Sequence, residues 1–122
     1  MPRSRREGPD PDDFLPLRRD TFDVLVSLAD RERHGYAILQ EVGALTDGDL
    51  QIEPGTLYRA LRRMLADGWV AESGRRPAAD VDDERRRYYR LTPLGRRVAT
   101  AEADRLWRLL TIARAHRLLT RA

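Results

Sequence analysis

Pro54-Gly55-Thr56-Leu57-Tyr58-Arg59-Ala60-Leu61-Arg62-Arg63-Met64-Leu65-Ala66-Asp67, closed by Gly68, is the stretch on which the reading of this 122-residue chain turns. Proline is welcome at a first helical position, where its missing N–H would have no partner anyway, and glycine is a natural stop. The stretch therefore predicts a helix from Pro54 to about Asp67. At the helical angle per residue, Leu57, Ala60, Leu61, Met64 and Leu65 fall within an arc of about 140°. Tyr58, Arg59, Arg62 and Arg63 are placed on the opposite arc, with no acid among them. One side of the helix is built to pack, and the other is a dense Arg/Tyr surface.

Toward the N-terminus, a helix is predicted from about Asp20 to Arg31. Phe22, Leu25, Val26 and Ala29 form its core-facing stripe, while Val24 and Leu28 lie off it and imply cover on two sides. His34-Gly35 interrupts the pattern. A second helix follows from about Tyr36 to Thr46, burying Ile38, Leu39, Val42 and Leu45, and Asp47-Gly48-Asp49 is a turn. The first seventeen residues hold four of the seven prolines and charges of both signs. They read as a flexible arm with Phe14, Leu15 and Leu17 as docking points at its end. Such an arm either contacts DNA or a second subunit, or is a disordered tail.

Toward the C-terminus, Trp69–Ser73 and Arg86–Leu91 have strand character. Between them runs a polar connection, Gly74 to Arg85, with Pro77 and the acids Asp80, Asp82, Asp83 and Glu84. Three helices followed by such a hairpin make a winged-helix arrangement. Thr92-Pro93 then starts a last helix, Thr as N-cap and Pro at the first position, which could reach the end of the chain. Leu94, Val98, Ala101, Leu109, Ile112 and Leu119 share one face of it. Ala99, Ala103, Leu106, Leu110 and Ala113 make a second face, with Trp107 on its flank. One small domain covers only one of these, so a second copy is the natural cover for the other. The expected architecture is mainly α with a small β-hairpin: an arm (1–17), a winged helix-turn-helix domain (18–91) and a C-terminal dimerisation helix (92–122). The interface of the homodimer is assigned to Leu94, Val98, Leu106, Leu109, Leu110, Ile112 and Ala113.

Composition narrows the function classes. Apolar residues at 41% suffice for one modest core, and the net charge of +3 hides a segregation. Residues 20–53 balance at −6 and residues 54–97 at +5, so the basic charge gathers in the middle of the chain. All 23 basic residues are Arg, whose planar fork pairs bidentately with oxyanions. The absence of cysteine excludes disulfides, zinc–thiolate sites and thiol nucleophiles. The two histidines, His34 and His116, would need carboxylates to complete a metal site. Neither a metal nor a cofactor is expected. No run approaches the length of a membrane span and no signal peptide is visible, which leaves a cytoplasmic protein. The acids at Asp82-Asp83-Glu84 lie in a polar loop with nothing apolar to raise a pKa, so an enzyme is not expected.

The sequence resembles the PadR family of transcriptional regulators. The resemblance rests on His34-Gly35-Tyr36, on Pro54 to Met64 with Gly68-Trp69-Val70, and on Arg87-Tyr88-Tyr89-Arg90-Leu91-Thr92 with Leu94-Gly95, in that order. It implies a sequence-specific DNA-binding regulator, a ligand-responsive repressor acting as a homodimer on a palindromic operator. The single last helix resembles the smaller branch of the family, whose members dimerise through it. Some of them bind flat hydrophobic ligands between protomers beside a tryptophan, which makes Trp107 a ligand-site candidate and a small hydrophobic or aromatic inducer a candidate partner. Two positions depart from the family pattern. Glu53 stands where Ser usually precedes Pro-Gly, and the wing connection is acidic where relatives are commonly short, Gly-rich and basic.

Each candidate has a plainer reading beside the functional one. Thr56, Tyr58, Arg59, Arg62 and Arg63 either enter the major groove of double-stranded DNA, where Arg pairs with guanine, or form a solvated helix face. Arg85, Arg86 and Arg87 either contact phosphate or guard an edge strand against aggregation. His34 and Tyr36 either touch phosphate or simply start a helix, and Trp107 either packs in an interface or plates a ligand. The rival function is a winged helix used for protein–protein contact without DNA.

Overall fold

The computed structural model describes residues 9–73 and 87–120. Its elements run in chain order as α1 (Arg19–Ser27), β1 (Arg33–His34), α2 (Gly35–Leu45), α3 (Pro54–Ala66), β2 (Val70–Glu72), β3 (Tyr88–Leu91) and α4 (Pro93–Ala115). A 3-10 turn, Pro11–Phe14, precedes them. The chain is mainly α with a small antiparallel sheet, the winged-helix class expected. The sheet has a third strand that sequence reading missed. β3 lies in its centre, pairing Arg33 with Tyr89 on one side and Val70 with Leu91 on the other. Two residues are too few for β1 to show any alternation.

α1 buries Val24, Leu25 and Ser27, and its C-cap residue Leu28 is buried beside them; the helix packs against α2 and α4. The expected stripe of Phe22, Leu25, Val26 and Ala29 is therefore corrected. Of these only Leu25 is in the core, while Phe22 and Val26 are half-buried and Ala29 is exposed. The helix has an apolar residue on both faces, and its core face accepts Ser27 because the hydroxyl donates back to the Val24 carbonyl at 2.6 Å. Arg33 closes the end of α1 by donating to the Ser27 carbonyl at 2.7 Å.

α2 starts on His34, whose Nδ1 accepts the Ala37 N–H at 3.1 Å, and it buries Ile38 and Val42. Leu45, expected in that stripe, is exposed. The α3 helix ends in a Schellman motif. Gly68 has φ +80°, and the Trp69 N–H reaches the Met64 carbonyl at 2.9 Å. Leu57, Leu61 and Met64 carry α3 into the core, where truncating any one to Ala removes about 2–5 kcal/mol.

The first turn of α4 is rooted in the domain by three contacts. Thr92 caps it by accepting the Gly95 N–H at 3.0 Å, and the same hydroxyl donates to the Gly68 carbonyl. Gly95 lies so close to the start of β2 that a Cβ there would collide with the Trp69 carbonyl. Arg96 donates to the Ala29 carbonyl at 2.6 Å, tying α4 to the end of α1. Beyond Glu102 the helix leaves the domain surface. It stops at Ala115 rather than running on, because Arg117 takes φ +61° and Leu118 donates to the Ala113 carbonyl at 2.9 Å. At the other end, Phe14 and Leu17 pack on the core, and Phe14 stands edge-on to Trp69 at 5.1 Å.

Candidate nucleic-acid interface

α3 presents Thr56, Arg59, Arg62 and Arg63 along one side. The three guanidiniums are exposed and Thr56 is half-buried. Arg59 donates to the Thr56 hydroxyl at 3.2 Å, which holds it along the helix. Among the described residues no carboxylate pairs with Arg59 or Arg63, so these two guanidiniums are not neutralised by the described part of the chain. Glu53 precedes the helix without a side-chain cap bond, leaving the first backbone N–H groups of α3 unclaimed by it.

Tyr58 does not belong to this surface. The structure corrects its expected place on the exposed arc: it is buried, 9% exposed, and its ring lies over Gly35 at the start of α2. Tyr58 is only about 20° from Leu65 around a helix, so the packed arc extends to include it. Its part is to join α3 to α2.

His34 caps α2 and stands edge-on to Tyr88 at 5.4 Å, so its ring is occupied within the domain. Tyr36 is exposed. Arg87 lies at the start of β3 with its Nε 3.7 Å from Glu72 Oε1. Arg85, Arg86 and the acidic connection lie outside the described residues. Of the two tyrosines on β3, Tyr89 is buried and Tyr88 half-buried.

The residues assigned to a dimer interface divide in two. Val98 is fully enclosed in the protomer's own core, so its assignment to the interface is corrected, while Leu94 is half-buried and packs against that core. A periodic apolar face runs the whole length of α4, but its first turns are consumed by the domain that they grow from. Leu109, Leu110 and Ile112 are exposed, as is Trp107 at 64%, while Leu106 and Ala113 are half-buried.

Two features had no signal in the sequence. Glu102 is a buried carboxylate on α4, bound by Arg105 at 2.6 and 2.9 Å and by the Leu17 N–H at 3.3 Å. Hydrogen bonds from Arg105 outweigh desolvation and, with Leu17, hold its carboxyl below the usual range. Second, Arg18 and Thr21 of the N-terminal region line one cavity together with Thr56, Arg59 and Arg63 of α3. Nearly forty residues separate the two sets, and no local pattern links them.

The family model for the "Transcriptional regulator PadR-like family" matches residues 24–101, well over half of the chain. The chain belongs to the PadR-like family. Its members are transcriptional regulators, not enzymes. The chain is 39% identical over 79 residues to the transcriptional regulator Rv3488 of Mycobacterium tuberculosis, spanning 65% of this chain and 67% of that one. A transcriptional regulator from Clostridium thermocellum has the same fold, with a TM-score of 0.63 at 24% identity over 83% of this chain and 92% of its own. Bacillus subtilis PadR in complex with operator DNA superposes with a TM-score of 0.59 at 19% identity, over 75% of this chain and 48% of PadR. The two structural likenesses bear on the PadR-like fold alone. Among the described residues no helix is long and apolar enough to cross a membrane, and no group of three metal-binding side chains is present.

Proposed function

We propose that this PadR-like protein is a cytoplasmic, DNA-binding transcriptional repressor that works as a homodimer on a palindromic operator and is released by a small ligand. The acid-free side of α3 carries the reading: Thr56, Arg59, Arg62 and Arg63 lie along one side of a helix, the element that a major groove admits, with the three guanidiniums exposed. The operator complex of Bacillus subtilis PadR, which shares the fold, supports a groove-binding role. Dimerisation is supported by the outer half of α4, where Trp107, Leu109, Leu110 and Ile112 stand exposed and are left uncovered by the described residues. Phe22 and Val26 add a half-buried apolar face on α1.

The test is a gel-shift titration on the promoter beside the gene, with a scrambled duplex as control. Binding should weaken steeply with salt, by roughly a thousandfold between 50 and 200 mM if about six phosphates are neutralised. Replacing Arg62 and Arg63 together by Ala should abolish the shift while leaving the thermal melt in place. Absence of any salt-sensitive shift would end this reading in favour of protein–protein contact, and a shift untouched by the double substitution would remove α3 from the DNA contact.

A further inference from the structure

The cavity between the N-terminal segment and α3 has a volume of about 620 Å³, within the span of small-molecule sites. Its floor is apolar, formed by Phe14, Leu17, Met64 and Trp69. Its rim carries three guanidiniums, Arg18, Arg59 and Arg63, against one carboxylate, Asp20. That carboxylate is already engaged, accepting from the Thr21 N–H at 2.7 Å and from Arg18 at 3.4 Å. The indole Nε1 of Trp69 is buried without an acceptor, although Trp69 as a whole is only 6% exposed. A buried indole donor normally finds a partner, and Trp69 is a lining residue of the cavity, so the orphan leaves room for an acceptor supplied from that side.

We propose that this cavity binds a small amphiphilic anion, an apolar body bearing one acidic head group, and that its occupancy competes with DNA for α3. The apolar body lies on Phe14, Leu17 and Met64, and the head pairs with Arg18 and Arg63 at the rim. An acceptor on the ligand meets the Trp69 indole if Phe14 shifts from its edge-on position. Arg59 and Arg63 belong both to the rim and to the exposed side of α3, so a bound anion neutralises the charge that the groove would meet. None of its lining residues belongs to α4, the helix that carries Trp107. The competition rests on the groove-binding reading above; the binding itself does not.

Anilinonaphthalene sulfonate serves as the probe, with the uncharged phenylnaphthylamine as its counterpart. Both are titrated onto the full chain carrying Trp107→Phe, which leaves Trp69 as the remaining one of two tryptophans. Energy transfer from Trp69 to the sulfonate should saturate at one probe per protomer. The sulfonate should bind about tenfold or more tighter than the amine, as a charge-assisted contact demands. Arg18→Gln and Ala60→Met, the first removing a rim charge and the second filling the cavity, should each weaken the sulfonate about tenfold while the melts stay close to the parent. On the wild-type chain the sulfonate should raise the apparent Kd for the duplex in step with its occupancy. Absence of transfer from Trp69, equal affinity for the two probes, or affinity unchanged in both variants would overturn the proposal. A chain that ignores DNA yet binds the sulfonate in this pattern keeps the site and loses the groove reading.

Discussion

Gly35→Ala offers a test of the packing that orients α3, because its sign depends on one contact. Gly35 is helical, in the first turn of α2, and Gly→Ala inside a helix ordinarily stabilises by up to about 1 kcal/mol. Here a Cβ at residue 35 would lie 2.5 Å from the Tyr58 Oη, 2.6 Å from Cε1 and 2.9 Å from Cζ. Tyr58 is itself buried, so the ring has to swing into packed neighbours or push α2 from α3. Overpacking of this kind costs about 1–3 kcal/mol, which outweighs the propensity gain. The expected net loss is about 1 kcal/mol, a fall in Tm of roughly 3–5 °C for a domain of this size. Chemical and thermal unfolding of four chains checks it: the parent, Gly35→Ala, Tyr58→Leu and the double variant. Leucine lacks all three ring atoms that the new methyl would meet, so in the Tyr58→Leu background Gly35→Ala should be neutral or stabilising. A coupling energy of at least about 1 kcal/mol between the two sites is the expected readout. If Gly35→Ala costs the same in both backgrounds, or stabilises the parent, Tyr58 is not what excludes a side chain at residue 35.

Gly95→Ala should be far more damaging, since its methyl meets the Trp69 backbone carbonyl rather than a side chain; circular dichroism should show the melt lost or lowered by well over 10 °C, an effect of about 3 kcal/mol or more. The depressed carboxyl of Glu102 contributes stability that is present above its unfolded pKa and is lost as pH falls through the lower folded value. Accordingly, the parent should be more stable than Glu102→Gln at neutral pH, and the gap should close as pH drops below the usual carboxylate range; a gap independent of pH would count against the Arg105 pairing. Ile112→Asp and Val98→Asp separate the two halves of α4 by sedimentation and melting. The first should give a folded chain that sediments as a monomer, and the second a chain that does not fold.

Much of the fold was legible because its signals are local. Pro54 and Gly68 bracket α3, Thr92-Pro93 starts α4, and the apolar periodicity between them needs no knowledge of the partner element. The failures share a different cause. α1 is apolar on two faces, and a helical wheel does not say which of them meets the chain's own core, so Phe22 and Val26 were assigned inward when Val24 and Leu28 fill that place. Tyr58 lies at the edge of the arc it shares with the arginines, about 20° from Leu65, and an angle alone does not fix where the packed arc ends. Leu94 and Val98 continue the same stripe as Leu109 and Ile112, and only the position of the domain surface separates buried turns from projecting ones. The cavity is invisible to local patterns for a stronger reason: Arg18 and Arg63 line one cavity through tertiary contacts such as Phe14 on Trp69 and the Leu17 N–H on Glu102.

Those same contacts constrain how a ligand could act on the proposed dimer. The root of α4 is locked to the end of α3 through Thr92 and the Gly95–Trp69 approach, to α1 through Arg96, and to the N-terminal segment through Glu102. A helix held at four points, one of them backbone against backbone, moves with its domain as a rigid body. The distance between the two α3 helices is then set by how the outer halves of α4 meet, at Leu109, Leu110 and Ile112, and not by flexing within a protomer. A ligand that alters half-site spacing must therefore act at that outer half, whereas one in the α3 cavity acts by occupying Arg59 and Arg63. The two modes differ in what competes: a spacing ligand would still permit binding to an operator with half-sites moved apart or together, and a cavity ligand would block every duplex alike. Measuring release on a set of operators with altered half-site separation distinguishes them, and release that depends on the separation would assign control to α4.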